Sequence, residues 1–233
     1  LLTWKIAPAL AMGNTIVAKP SELTPLTANF FAEILHEIGF PSGVFNLVHG
    51  LGLDTGQPIL EHPEIKAISF TGGTATGKIV AATASPMFKK ISLELGGKNA
   101  TIICADADID MAVSGAVKAA FTNSGQVCLC GSRILVDEKI YEKFLERFSK
   151  KVSKIKIGRP EDPNTEYGSV ISNQHLEKIL SYIQLAKQEG GTIVAGGNRV
   201  TEIDGQTTNG CFVEPTVITG LSINSRCATA VSY

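Results

Sequence analysis

The chain reads as an α/β protein of two modules: a parallel sheet with helices on both sides, followed by a second α/β module. Three observations carry this reading. Short β-rich runs alternate with helical patterns through the first third of the chain. The runs "TIVA" and "AISF" are continuously apolar, as expected of strands buried on both faces of a parallel sheet. The pattern then changes from Lys89 on and a second module begins near Gly96, so the modules are placed at 1–95 and 96–233.

In order, the first module offers a strand at "TIVAK" (Thr15 to Lys19), a helix from Pro25 to Ile38 and a strand at "VFNLV" (Val44 to Val48). A short helix near Ile59, a strand at "AISFT" (Ala67 to Thr71) and a helix after Gly73 follow, and the sum is βαβαβ. "KKISLELGGKN" is a strand broken by glycines, and "ATIIC" is the next strand. Asp106 to Phe121 forms a helix with Asp106 or Asp108 at its cap, and "RILV" is a strand. Helices from Tyr141 to Lys154 and His175 to Gln188, joined across the loop "GRPEDPNTEYG", lead to strands at "TIVAGG" and "FVEPTVI". The tail "INSRCATAVSY" shows neither helix nor strand pattern.

Composition narrows the function. With 44% hydrophobic and 18% charged residues the chain is globular. Its 21 basic and 22 acidic residues form no block beyond pairs such as Lys89-Lys90, which argues against a nucleic-acid partner. No run is long enough to span a membrane. The opening "LLTWKIAPALAMG" is apolar, but Lys5 interrupts it and no basic region precedes it, so a secretory leader is not expected. Five scattered cysteines fit a reducing compartment, and a cytoplasmic location is expected. No metal site is expected, because Cys-Leu-Cys lacks a second pair and the four histidines have no ligand spacing.

Ligands of a parallel sheet bind at the carboxyl ends of its strands. There stand Lys19 and Glu22 of "KPSE", and "TGGTATG", which opens a helix whose first N–H groups favour an anion. A dinucleotide fits both places. "GGTATGK" also approaches a triphosphate-binding loop, with "IICAD" as a companion strand, but Ile79 stands where that loop needs a hydroxyl for magnesium. Cys128, in the Gly-flanked loop "NSGQVCLCGSR", could serve as a nucleophile beside free turn N–H groups. The alternative is that Cys128 and Cys130 pack as small hydrophobes. Glu94, at an apolar strand end before two glycines, is placed as a base, since apolar surroundings favour a proton-accepting carboxylate. It could equally be a surface residue, as Lys19 and Glu22 could be a solvated pair.

The blocks "WKIAPALAMGNTIVAKPSELTP", "SFTGGTATGK", "LELGGKN" and "GQVCLCGSR", in this order and spacing, resemble the aldehyde dehydrogenase superfamily across almost the whole chain. Within it, "CLCGSR", "SELTP" and "EPTVITGL" look most similar to the aminomuconic and hydroxymuconic semialdehyde dehydrogenases. The resemblance implies a Rossmann-like NAD-binding domain followed by a catalytic domain, both partial. It makes Cys128 the nucleophile, Glu94 the general base, and Lys19 and Glu22 the residues at the adenosine ribose, with the acid favouring NAD. Gly72, Gly73 and Gly77 fall beside the pyrophosphate, and Leu95 and Gly96 are carried over with the cofactor site. An aldehyde substrate and a homo-oligomeric parent enzyme are implied with them.

Departures from the pattern also carry expectations. The family's oxyanion Asn would lie before Leu1, its "EEIFGP" block is replaced after "RCAT" by "AVSY", and Gly73 stands where many relatives have Ser. Loss of one oxyanion donor typically costs roughly a hundred- to a thousandfold in rate. The expectation is a truncated form of the enzyme, weak or silent alone, that binds cofactor or full-length subunits.

Overall fold

The computed structural model describes residues 1–229; the end of the tail, "AVSY", lies outside the described residues. Two compact units divide between Leu95 and Gly96.

The first unit starts with a helix the periodicity did not mark, α1 (Leu2–Ala11), carrying Pro8 inside it. Strands β1 (Ile16–Ala18) and β2 (Phe45–Leu47) pair in parallel, Ile16 opposite Phe45 and Ala18 opposite Leu47. The crossover between them is helix α2 (Leu26–Glu37), which buries Ala28 and sets the Phe31 ring edge-on to Phe45 at 5.5 Å. A π-type turn at Gly52–Gly56 runs into the short helix α3 (Gln57–Glu61). Strands β3 (Ala67–Gly72) and β4 (Lys90–Leu95) form a parallel ladder from Ala67–Lys90 to Gly72–Leu95. Helix α4 (Thr74–Ala84) lies between them in sequence. Its Val80 and Ala84 pack with Ile68, against Phe70, Ile91 and Leu93 of the strands and Ile59 and Leu60 of α3.

The strands are not buried on both faces as their apolar runs predicted. Ile68 is buried while Ala67 and Ser69 are exposed, and along β4 exposed Lys90, Ser92 and Glu94 alternate with half-buried Ile91, Leu93 and Leu95. The helical layer of α3 and α4 covers one face, and period-two alternation puts every second side chain on the other. The buried Lys89 is satisfied by donating to the carbonyls of Leu60 (2.5 Å) and His62 (2.7 Å), at the end of α3.

In the second unit, β5 (Ala100–Ile103) pairs in parallel with β6 (Arg133–Val136). Helix α5 (Ile109–Phe121) connects them, and of the two candidate caps it is Asp108 whose carboxylate accepts from Met111 N–H at 2.9 Å. Helix α6 (Tyr141–Val152) presents Phe144, Phe148 and Val152 to Ile103, Val113 and Ala116, forming one core. Helix α7 (Asn173–Gln188) starts at the capping side chain of Ser172 and buries Leu176 and Ile183 with Val170 and Val213 in a second core. Strand β7 (Thr192–Ala195) pairs antiparallel with β10 (Val217–Thr219). The strand expected over "FVEPTVI" is interrupted at Pro215, which has no N–H to give a ladder: Val213 makes a lone antiparallel bridge to Arg199, and the ladder to β7 runs over Val217–Thr219.

Between them, β8 (Glu202–Ile203) and β9 (Gln206–Thr207) form a hairpin turning on Asp204-Gly205, both with positive φ (52° and 73°). The tail, read as patternless, contains one helical turn, α8 (Arg226–Thr229). Its reason is tertiary: the Glu189 carboxylate accepts from the N–H groups of Arg226 and Cys227, both at 3.0 Å.

Candidate active site

Helix α5 ends at Phe121, and the chain passes through a left-handed turn into the loop that holds Cys128. Cys128 is half-buried and its carbonyl accepts from the Asn99 amide at 2.5 Å. Cys130 is buried, and burial pushes its thiol up, opposed by a backbone hydrogen bond to Val127. The two cysteines therefore part ways: Cys130 packs as a small hydrophobe, while Cys128 keeps part of its surface exposed. Gly131 follows at a close approach, since a Cβ there would stand 2.1 Å from Thr101 Oγ1.

Glu94 lies on the exposed face of β4, opposite Thr71 in the ladder, so within its unit it is not enclosed by apolar side chains as its sequence setting predicted. The alternation of β4 explains this, because Leu93 and Leu95 face the helices and Glu94 must face away. Lys5 of α1 reaches the same unit's strands and donates to Ser69 Oγ at 2.6 Å. Burial holds the Lys5 amine below its ordinary value, and the Glu94 charge pulls it back up.

At the strand ends, Lys19 follows β1 and donates to the carbonyls of Pro20 (2.7 Å) and Gly50 (2.9 Å), with Glu22 at 3.8 Å and half-exposed. Gly72 closes β3, and Gly73 is the N-terminal cap of α4 in extended conformation, with no side chain capping the helix. The first-turn N–H groups of such a helix have no partner within it. Beside them the buried Thr71 Oγ1 has no hydrogen-bond partner among the described residues. An uncapped helix start next to an unpaired buried hydroxyl fits a phosphate-bearing cofactor.

Gly77 is not part of that turn. It lies inside α4, where a Cβ would come within 2.7 Å of Leu95 Cδ2, so its lack of a side chain lets the helix settle on β4. Leu95 accordingly packs beneath the helix, and Gly96 opens the second unit. Helix α4 already starts at Thr74, so the residues between Gly72 and Gly77 do not form the phosphate-wrapping loop that the triphosphate reading needs. Asn99 and Lys5 were not singled out by motif reasoning, though both stand inside the quoted blocks "LELGGKN" and "WKIAPALAMG".

The aldehyde dehydrogenase family model matches residues 1–230. The chain belongs to this family. It is 48% identical over 227 residues to a 2-aminomuconic 6-semialdehyde dehydrogenase of Pseudomonas sp, covering 97% of this chain and 46% of that protein. It is 46% identical over 230 residues to the human 2-aminomuconic semialdehyde dehydrogenase, covering 98% of this chain and 47% of the relative. A betaine aldehyde dehydrogenase from Staphylococcus aureus, solved in complex with NAD+, superposes with a TM-score of 0.95 at 45% identity over 99% of this chain and 46% of its own. The aldehyde dehydrogenase chain thus spans about half the length of the curated relatives it matches. Its mixed helix and parallel-strand architecture is that of these neighbours.

Proposed function

We propose that this chain carries the cofactor-binding and nucleophile-bearing part of an enzyme that oxidises an aldehyde to the carboxylic acid with NAD, in a cytoplasmic setting and as part of a homo-oligomer. The unit before Gly96 is the cofactor domain and the unit after it the catalytic domain. A muconic-type semialdehyde is the substrate class, supported by the names of the relatives at 45–48% identity. The observation that carries the reading is Cys128, half-buried on a braced loop, in a chain of this family.

The thiolate of Cys128 attacks the aldehyde carbon and forms a thiohemiacetal. NAD, when bound, supplies the hydride acceptor that takes this adduct to the thioester. The residues that would hold it are Lys19 and Glu22 at the ribose and the turn Gly72-Gly73 at the phosphates, with Thr71 beside them. Glu94 takes a proton from the water that cleaves the thioester, returning Cys128 and releasing the acid. Turn N–H groups at Cys128 polarise the carbonyl through the attack.

Incubation of the purified chain with NAD and 2-hydroxymuconic semialdehyde tests this by absorbance of the reduced nicotinamide. Turnover lost on Cys128→Ser supports it; turnover that survives the substitution refutes it. A chain that binds NAD without turning over is the weak or silent form, and its capture of a full-length relative in co-purification would define that role.

A further inference from the structure

The loop that carries Cys128 begins on strained backbone. Asn123, Ser124 and Gly125 all lie in the left-handed region, with φ of 52°, 57° and 75°. Two of these are L-residues with side chains, and such conformations persist only where surrounding structure over-determines them. The bracing is visible. Ser124 Oγ donates to the Gly168 carbonyl at 2.9 Å, Gln126 Oε1 accepts from Ile171 N–H at 3.0 Å, and Gly131 N–H donates to the Ala119 carbonyl at 3.0 Å.

Asn99 acts on Cys128 itself, its amide donating to the Cys128 carbonyl at 2.5 Å. Asn99 is in turn held at the root of β5. Its own carbonyl accepts from Arg133 N–H at 3.2 Å, and the preceding Lys98 carbonyl accepts from Arg133 Nε at 3.0 Å. Room for its side chain comes from Gly97, where a Cβ would stand 2.9 Å from Asn99 Oδ1. A rigid strand start therefore reaches across to one peptide of a loop whose entry is strained.

We propose that Asn99 is a positioning residue for Cys128: its amide pins the carbonyl of Cys128 to β5 and so sets the direction of the thiol and of the turn N–H groups that face an attacked carbonyl. The physical reason is that the Cys128 carbonyl orients the peptide after it. With that plane held, rotation about the Cα–C bond of Cys128 is restrained, which narrows the approach of its side chain to a bound electrophile. The proposal rests on the reading of Cys128 as the nucleophile.

The test uses two electrophiles that need no cofactor. With p-nitrophenyl acetate the Cys128 thiolate attacks the acetyl carbonyl and a thioester C–S bond forms. The ester C–O bond breaks, p-nitrophenolate leaves with the electron pair, and the thiol proton goes to buffer. Iodoacetamide alkylates the same thiol but needs no aligned N–H donors. Both rates are followed for Cys128, by the absorbance burst and by peptide mass, across pH 6–10 in wild type, Asn99→Ala and the near-isosteric Asn99→Leu.

Expected is a tenfold or greater fall in acylation for both variants, with alkylation within threefold of wild type and an unmoved pH midpoint. Acylation within twofold of wild type overturns the proposal. So does a parallel fall of both rates together with the melting temperature, which marks a merely structural residue. If one variant fails to fold, the other carries the comparison. A wild-type burst that is missing, or that persists in Cys128→Ser, removes Cys128 as nucleophile, and with it anything for Asn99 to position.

Discussion

Truncating Phe148 to Ala tests whether the aromatic core behind α5 supports the Cys128 loop. Phe148 is 2% exposed, and its ring stacks on Phe144 at 5.5 Å and on Phe121 at 6.4 Å. An aromatic side chain of this kind buries about 150–250 Å², which at about 25 cal/mol per Å² is roughly 4–6 kcal/mol, part of it kept by the remaining Cβ. Lost ring contacts and the cavity act the same way, and buried Phe→Ala changes typically cost about 3–5 kcal/mol. A loss of about 4 kcal/mol, with a urea slope of about 2 kcal/mol per molar, lowers the midpoint by about 2 M. Phe121 is the last residue of α5, next to the left-handed turn, so amide hydrogen exchange through residues 121–128 should rise as well. Urea unfolding by circular dichroism and exchange by mass spectrometry give both readouts. A midpoint shift below about 0.5 M, corresponding to about 1 kcal/mol, would refute the assignment of this ring to the core.

Removing the α5 cap with Asp108→Ala should cost about 1 kcal/mol and lower the melting temperature by about 2–4 °C, read by calorimetry. Glu22→Ala should weaken NAD binding roughly ten- to a hundredfold in a calorimetric titration, as loss of a charged hydrogen-bond acceptor does; unchanged affinity would move the ribose site elsewhere. Burial pushes the Tyr167 hydroxyl up to about 12, with the Cys130 charge adding to it. The folded state therefore holds this proton more tightly than the unfolded one. Its contribution is present below pH 10 and is lost as pH rises from about 10 to 12, by about 2–3 kcal/mol. The urea midpoint of wild type should accordingly fall relative to that of Tyr167→Phe over that window; a difference between them that stays constant would contradict the shift.

The positions most legible in the sequence were those governed by local chemistry. Strand runs of Ile and Val and the Asp108 cap each leave a short-range mark, and each stands within a few residues of its expected place. The neighbouring residues mark Cys128 in a loop and Gly73 at a helix start for the same reason: both depend on turn and cap residues adjacent in the chain. Pro8 and a mostly apolar stretch mask the period of helix α1. The β8–β9 hairpin was missed although Asp204-Gly205 is a turn signal, because its strands have only two residues each.

Tertiary structure alone decided which side of a strand or loop each chemical group faces. Period-two alternation against one covered face turned Glu94 outward, although its neighbours in sequence are apolar. Gly77 became a packing residue only because Leu95, 18 positions later by number, returns beneath the same helix. Asn99 meets the carbonyl of Cys128 across 29 positions, and Glu189 caps α8 across 37. Such contacts arise from the pairing of strands and the docking of helices, which a short-range pattern does not encode. The order of residues sets which groups are available for chemistry; the fold sets which of them are held, by what, and facing which way.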